Sequence, residues 1–489
     1  MPALSDKEQS VLDRVGKDLY IGGRWRPASR RGTLSVEDPS TGEPLAEVAD
    51  ATPEDALAAL AAAADAQPAW AVTAPRERGE ILRRAYELLQ ARAEDLALVM
   101  TLEMGKALAE SKAEIAYAAE FLRWFSEEAV RIHGRYMTNT TGQGRILTMR
   151  QPVGPCVFVT PWNFPMAMGT RKIAPAIAAG CTMVVKPAQQ TPLSMLALAG
   201  VLAEAGLPDG VLNVITTHHS GTVIEPLLRD PRTRKLSFTG STEVGRKLIE
   251  QSAEQVLRVS MELGGNAPFI VFEDADLDAA VEGALVAKLR NVGEACTAAN
   301  RFHVHESHAE EFARRMAERV AKLKLGRGTE PGVDVGPLID DRQRGIVAEL
   351  VQDAVQRGAK LLCGGERLPG PGYFFAPTVL AEVPSEARIL REEVFGPVAP
   401  VSAFATEQQA IEAANATEYG LVAYLYTRDL ARTLRVCEAI EAGMVGVNQG
   451  IVSNPAAPFG GVKQSGFGRE GGFEGIGEYL ETKYVALNV

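Results

Sequence analysis

Cysteine is scarce in this chain, with five in 489 residues. Cys156, Cys181, Cys296, Cys363 and Cys437 are odd in number and far apart, and no pair has C-x-x-C spacing. That excludes a dense disulfide framework and suits a reducing compartment. The six histidines show no H-E-x-x-H motif and no Cys/His cluster, so a structural metal is not expected. No run approaches the ~18 apolar residues of a membrane helix. The first residues, MPALSDKEQSVLDRVGKD, lack the apolar centre of a signal peptide. Positive charge is in deficit. The net charge of −11 argues against non-specific binding to DNA or an acidic membrane, although it leaves room for a local basic pocket. No fixed-period repeat and no nucleic-acid motif is present. The expectation is a cytoplasmic protein with no nucleic-acid and no membrane partner.

What the chain does have is core. It is 46% hydrophobic and 23% charged, the composition of an ordinary globular protein, and long enough for two or three domains. LYIGGRWR (19–26) reads as a hairpin about two glycines. Thr52 is placed to cap a helix with Pro53 in its first position and Glu54 and Asp55 in its first turn. Helical periodicity continues through residues 81–106 and 113–132. From about residue 150 the texture changes. Short apolar runs (PCVFVTP, TMVVKP, VLNVIT, KLSFTG, RVSMELGG) alternate with helices, one of them starting at Pro192 with Thr191 as its cap. A second series follows with PFIVF, FHVH, PTVLAEV and VAPVSAF. Apolar strands separated by helices predict parallel sheet. The chain ends in a strand-like EYLETKYVAL.

Five segments could carry chemistry. RNVGEACTAANR (290–301) places Cys296 after a glutamate and near alanines only, the setting of a partly open turn. A buried cysteine is usually an inert small hydrophobe; an exposed one at a turn can be a nucleophile. KLSFTGSTEVG brings Gly240, Ser241 and Gly245 to a strand-to-helix turn, where a helix N-terminus can face a phosphate. It departs from G-x-G-x-x-G. TPWNFP sets Trp162 and Asn163 at a strand end, where an amide could donate to an oxyanion or merely hold a turn. VVKPAQQTP ends a strand on Lys186, which needs a ribose, a phosphate or a structural carboxylate as partner. MELGGNAP offers Glu262 as a general base, a cap or an ion-pair partner. REEVFGPV adds Glu393, able to accept ribose hydroxyl bonds, and Phe395, able to lie beside a ring.

In this order PWNFP, KPAxxTP, FTGSTxVG, ELGGNAP, GExC, EEVFGP, PFGGVKQSGFGRE and EYLETKYV resemble the aldehyde dehydrogenase superfamily, over nearly the whole chain. The resemblance implies an α/β fold of two α/β domains with a small β oligomerisation arm. Residues 1–130 and 151–262 would bind cofactor, 263–445 would carry catalysis, and 131–150 with 463–489 would form the arm of a homodimer or homotetramer. Cys296 would attack an aldehyde, with Asn163 and the Cys296 N–H holding the oxyanion, and Glu262 would activate water against the thioester. Trp162, Lys186, Gln189, Ser241, Glu393 and Phe395 would contact the cofactor. Many NAD-using relatives carry Glu where this chain has Gln189, so NADP is allowed or preferred, with NAD still open. Within the family the chain is most similar to the succinate-semialdehyde dehydrogenases, through Arg171, Arg290 and Ser453 as a carboxylate grip for a small anionic aldehyde. Glutarate semialdehyde and a non-catalytic paralogue are the rivals. Ala298 stands where some relatives have a second cysteine, so no local disulfide switch is expected.

Overall fold

In the computed structural model, residues 4–488 are described. Residues 1–3 of the polar start, and Val489 at the end of the expected arm, lie outside them. Two large sheets organise the chain. The first has eight strands in the order Gly466–Phe467, Arg258–Glu262, Lys235–Thr239, Cys156–Val159, Met183–Lys186, Leu212–Val214, Leu19–Ile21, Arg24–Arg26. The five strands from Arg258–Glu262 to Leu212–Val214 are parallel. The outer ones are antiparallel, including the expected hairpin. The second sheet has seven strands in the order Lys360–Cys363, Thr378–Ala381, Val398–Phe404, Ala299–His305, Ala267–Val271, Val422–Tyr426, Met444–Val447. Only its first edge strand is antiparallel. Central strands such as Cys156–Val159 and Ala267–Val271 are buried along their whole length. That is why they read as continuous apolar runs and not as alternation.

The junction between the sheets positions everything that follows. Glu262 ends the last parallel strand of the first sheet, and Ala267 opens a strand of the second, so Leu263–Asn266 bridge them. Two glycines make the crossing possible. A Cβ on Gly265 would lie 2.5 Å from the Cys296 carbonyl oxygen, and one on Gly264 would lie 3.0 Å from a Glu393 carboxylate oxygen. Side chains there would push the nucleophile turn and the Glu393 loop apart.

Helices cover the first sheet, and their caps are partly local. Thr52 and Asp55 form a capping box on Pro53–Val72. The expected Thr191 cap is corrected. The helix runs Leu193–Glu204 without a local side-chain cap. Thr191 donates its hydroxyl to the Trp162 carbonyl (3.2 Å) instead. The Leu193 and Ser194 amides donate to the Glu103 carboxylate, at 2.7 and 2.8 Å. A carboxylate on a helix N-terminus answers both the free N–H groups and the dipole, and this one comes from a helix ninety residues earlier.

A separate three-stranded antiparallel sheet joins Arg135–Thr138, Arg145–Pro152 and the terminal Leu480–Leu487. Gly466–Phe467, in the same C-terminal segment, belongs to the first sheet. Among the described residues, no helix is long and apolar enough to cross a membrane.

Candidate active site

Cys296 sits in a turn just before the Ala299–His305 strand, and it is the partly exposed residue in a buried stretch. A cavity of about 370 Å³ opens beside it. Eight of the residues singled out from sequence line that cavity: Trp162, Asn163, Gly240, Ser241, Glu262, Cys296, Glu393 and Phe395. Trp162 and Phe395 meet edge-to-face at 5.4 Å. An adjoining cavity of about 510 Å³ holds Gln189 and His218 and shares Gln190, Ile339 and Asp340 with the first, so the two form one elongated cleft.

The nucleophile turn is held in an unusual conformation. Asn291 and Val292 have φ of 57° and 59°, although neither is glycine. A buried network explains how this persists. Lys106 Nζ donates to Asn291 Oδ1 (2.7 Å) and to the Asn163 carbonyl (3.0 Å), and is ion-paired with Glu114. Asn291 Nδ2 donates to the Asn163 and Glu294 carbonyls. Glu114 in turn accepts from the Met166 and Ala167 amides at the start of the Ala167–Ala179 helix. The Asn163 side chain donates once to the Glu294 carbonyl (3.0 Å), which leaves its second N–H free to serve another acceptor. The Cys296 N–H has no acceptor among the described residues. These are the two donors an oxyanion on Cys296 would need. Lys106, Glu114 and Asn291 were not picked out from sequence, and Glu294 was noted only as the glutamate of the Cys296 motif. Each has at least one partner 50 or more residues away, and no local pattern marks that.

Burial raises the acids that line the cavity. Burial pushes the Cys296 thiol up to about 12; Arg171 and Arg290 pull it down, while Glu393 and Glu262 push it further up. Burial, then Glu470, holds the Glu262 carboxyl well above the usual carboxylate range. Its Oε2 is buried with no hydrogen-bond partner. An unpaired carboxyl oxygen in a cavity costs free energy until water or a ligand reaches it. Glu393 accepts from the Gly265 N–H at 3.0 Å, and burial raises it to about 7.

Lys186 ends its strand buried, and desolvation lowers it to about 8. It donates to Ser220 Oγ at 2.9 Å, which leaves further N–H donors on the ammonium group. Ser241 caps the Thr242–Ala253 helix by accepting from Val244 N and is exposed at the cleft. Gln189 faces the adjoining cavity. Asp50, His218 and His219 converge nearby, where the His218 imidazole lies 2.8 Å from Asp50.

The expected carboxylate grip divides in two. Arg290 Nη1 donates to Ser453 Oγ at 3.4 Å, and its guanidinium lies 4.9 Å over the Phe164 ring. Arg171 is buried against Phe459 (3.8 Å), with its Nε 2.9 Å from Glu470. Glu470 also binds Lys172. Arg171 Nε and Nη2 are both buried without a hydrogen-bond partner, and Nη2 has no ion-pair contact either. Arg171 is therefore partly committed to a structural ion pair, which its position in sequence did not reveal.

The aldehyde dehydrogenase family model matches residues 25–485. The chain belongs to the aldehyde dehydrogenase family. A succinate-semialdehyde dehydrogenase of Paenarthrobacter nicotinovorans is 62% identical over 91% of this chain and 98% of its own length. A glutarate-semialdehyde dehydrogenase of Pseudomonas putida is 50% identical over 97% of this chain and 98% of its own length. A crystal structure of an NADP-dependent enzyme of E. coli superposes with a TM-score of 0.96 at 48% identity, covering 98% of this chain and 99% of that one. This aldehyde dehydrogenase is thus an NAD(P)-dependent oxidoreductase. The elongated cleft, with Glu393 on its wall, fits such a cofactor.

Proposed function

We propose that this aldehyde dehydrogenase oxidises succinate semialdehyde to succinate. The observation that carries the reading is the placement of Arg290, bonded to Ser453, and of the spare Arg171 nitrogen around the nucleophile turn. Guanidinium groups and a hydroxyl on a partly desolvated wall suit a carboxylate. The relatives named as semialdehyde dehydrogenases support the same substrate class.

The chemistry follows from the residues. Cys296 loses its proton and its sulfur bonds to the aldehyde carbon. The oxyanion of the resulting thiohemiacetal rests on the free Asn163 N–H and the Cys296 N–H; one such donor is typically worth ~2.7–4 kcal/mol of barrier. The bound nicotinamide cofactor supplies the hydride acceptor. Oxidation leaves a thioester on Cys296. Glu262, in its ionised form, takes a proton from water as the water oxygen bonds to the acyl carbon. The C–S bond breaks and returns the thiolate. In balance, aldehyde, water and oxidised cofactor give carboxylate, reduced cofactor and two protons. Lys186 and Glu393 would hold cofactor hydroxyls, Ser241 its phosphates, and Trp162 and Phe395 would frame the nicotinamide end. Gln189 carries no charge against a 2′-phosphate, so NADP is admitted alongside NAD.

The assignment of 1–130 and 151–262 to cofactor binding, 263–445 to catalysis and 131–150 with 463–489 to an oligomerisation arm is part of the same proposal. So are homo-oligomerisation and a cytoplasmic setting.

The test compares kcat/KM for succinate semialdehyde, glutarate semialdehyde and neutral butanal, with both cofactors. The expected order is succinate semialdehyde first and butanal last. In Arg290→Gln the ratio of succinate semialdehyde to butanal falls about 10- to 100-fold, the worth of a hydrogen bond to a charged group. Equal rates with the neutral aldehyde would overturn the carboxylate reading. A preference for glutarate semialdehyde would keep the grip and move the substrate. No reduction of either cofactor by any aldehyde would leave a non-catalytic paralogue.

A further inference from the structure

Tyr117 lies on the Leu108–Glu128 helix, on the wall that faces the arginines. Its ring meets Phe121 edge-to-face at 5.0 Å, and the Arg171 guanidinium lies 5.9 Å from that same Phe121 ring. Its hydroxyl is buried and makes no well-formed hydrogen bond, although the Ser453 side chain lies close enough to lower it. Burial raises the phenol, while Arg171 and Arg290, with Ser453, lower it, and Cys296 raises it again. The hydroxyl therefore stands within electrostatic reach of the grip residues and of the nucleophile.

A buried hydroxyl without a well-formed hydrogen bond is an anomaly in a finished fold, because phenylalanine would fill the same space without the desolvation cost. The anomaly disappears if a ligand supplies the acceptor. We infer that Tyr117 is a specificity-determining residue whose hydroxyl donates to the substrate carboxylate, beside Arg290, Ser453 and Arg171. The inference rests on the carboxylate reading given above and extends it. The physical logic is complementary to that of the arginines. Guanidinium charge attracts any anion, whereas a neutral phenol fixed by its ring selects an acceptor at one place. Donation from a neutral O–H to a carboxylate also binds the anion without adding a third cation to a crowded site. A hydrogen-bonding pocket rejects a ligand that lacks the matching group, because its own donors are then left unpaired. Tyr117 would penalise a methyl-ended aldehyde in that way.

The experiment uses Tyr117→Phe, Arg290→Gln and the native enzyme. Each is assayed with succinate semialdehyde and with butanal, and each is titrated calorimetrically with succinate in the presence of oxidised cofactor. In Tyr117→Phe the ratio of kcat/KM between the two aldehydes falls about tenfold, and succinate binding weakens by a similar factor. The loss falls mainly on KM. Melting temperatures check that each variant is folded. If Tyr117→Phe lowers both aldehydes equally, or changes neither the ratio nor succinate binding, the hydroxyl has no role in recognition and the inference is overturned. If Arg290→Gln also leaves the ratio unchanged, the carboxylate grip itself fails. A ratio that falls in Arg290→Gln alone overturns only the role of Tyr117.

Discussion

At the scale of single residues, Glu262 and Cys296 set the reaction's dependence on pH. Both are acids held above their ordinary range by burial; Glu470 pushes Glu262 further up, and Glu393 and Glu262 push the Cys296 thiol further up. An acid whose pKa is raised is a base only above that raised value. The ionised Glu262 population therefore grows as pH rises, and hydrolysis of the thioester grows with it. Turnover should go on rising with pH well above the usual carboxylate range, not plateau just above it. Glu262→Gln keeps the shape and removes the base. It should release about one equivalent of reduced cofactor per Cys296 in a rapid burst. Steady turnover should then fall ~10²–10⁴-fold, with its rise with pH flattened. Rapid-mixing absorbance of reduced cofactor measures both phases. Normal steady turnover in this variant would mean that another base serves. Cys296→Ala should show neither phase, because no thioester can form.

At the scale of elements, the helices Ala93–Met104 and Leu108–Glu128 act as a scaffold of acids. Glu103 caps one helix of the first sheet, Glu114 caps another, and Glu110 accepts from the Asn291 N–H at the strained turn. Lys106, in the short link between the two helices, balances Glu114 and bonds both the Asn163 loop and Asn291. One cation thus joins the oxyanion side of the site to the nucleophile side. Lys106→Met would leave Glu114 buried and uncompensated. Removing one partner of such a pair typically costs 3–5 kcal/mol. Urea denaturation should show a loss of about that size, and adding Glu114→Gln should recover part of it. If Lys106→Met were as stable as the native chain, the network would contribute nothing net to the fold. The same scaffold shows where reading from sequence ran out. Thr52 with Pro53 was legible because a cap and its helix are neighbours in the chain. Thr191 was misplaced because the true cap, Glu103, is remote. Arg171 was legible as a guanidinium near the site, but its Glu470 partner, about 300 residues on, was not.

At the scale of the whole molecule, the two runs of buried strands were legible because each strand announces itself locally, and parallel pairing follows from intervening helices. Spatial order was not, since Gly466–Phe467 returns to the edge of the first sheet from the far end of the chain. The three-stranded sheet lies between these cases. Its last strand was legible, while its eight-residue register against Arg145–Pro152 is fixed by contacts some 330 residues apart. That sheet is thin, and small sheets need a covered face to be stable. It also leaves Tyr136 66% exposed, Tyr484 61% and Met137 45%. Leu480–Leu487 is an edge strand with one side unpaired. Exposed aromatics beside an open edge form a surface that another chain would cover. If a second copy covers it, the native protein at tens of micromolar, roughly, elutes and scatters light as a dimer or larger. Tyr136→Glu with Tyr484→Glu then shifts it toward monomer, because burying two carboxylates in that contact opposes association. Light scattering on the native chain and the double variant decides it. A native chain that is monomeric under those conditions, or a double variant with unchanged mass, would remove the sheet as the site of assembly.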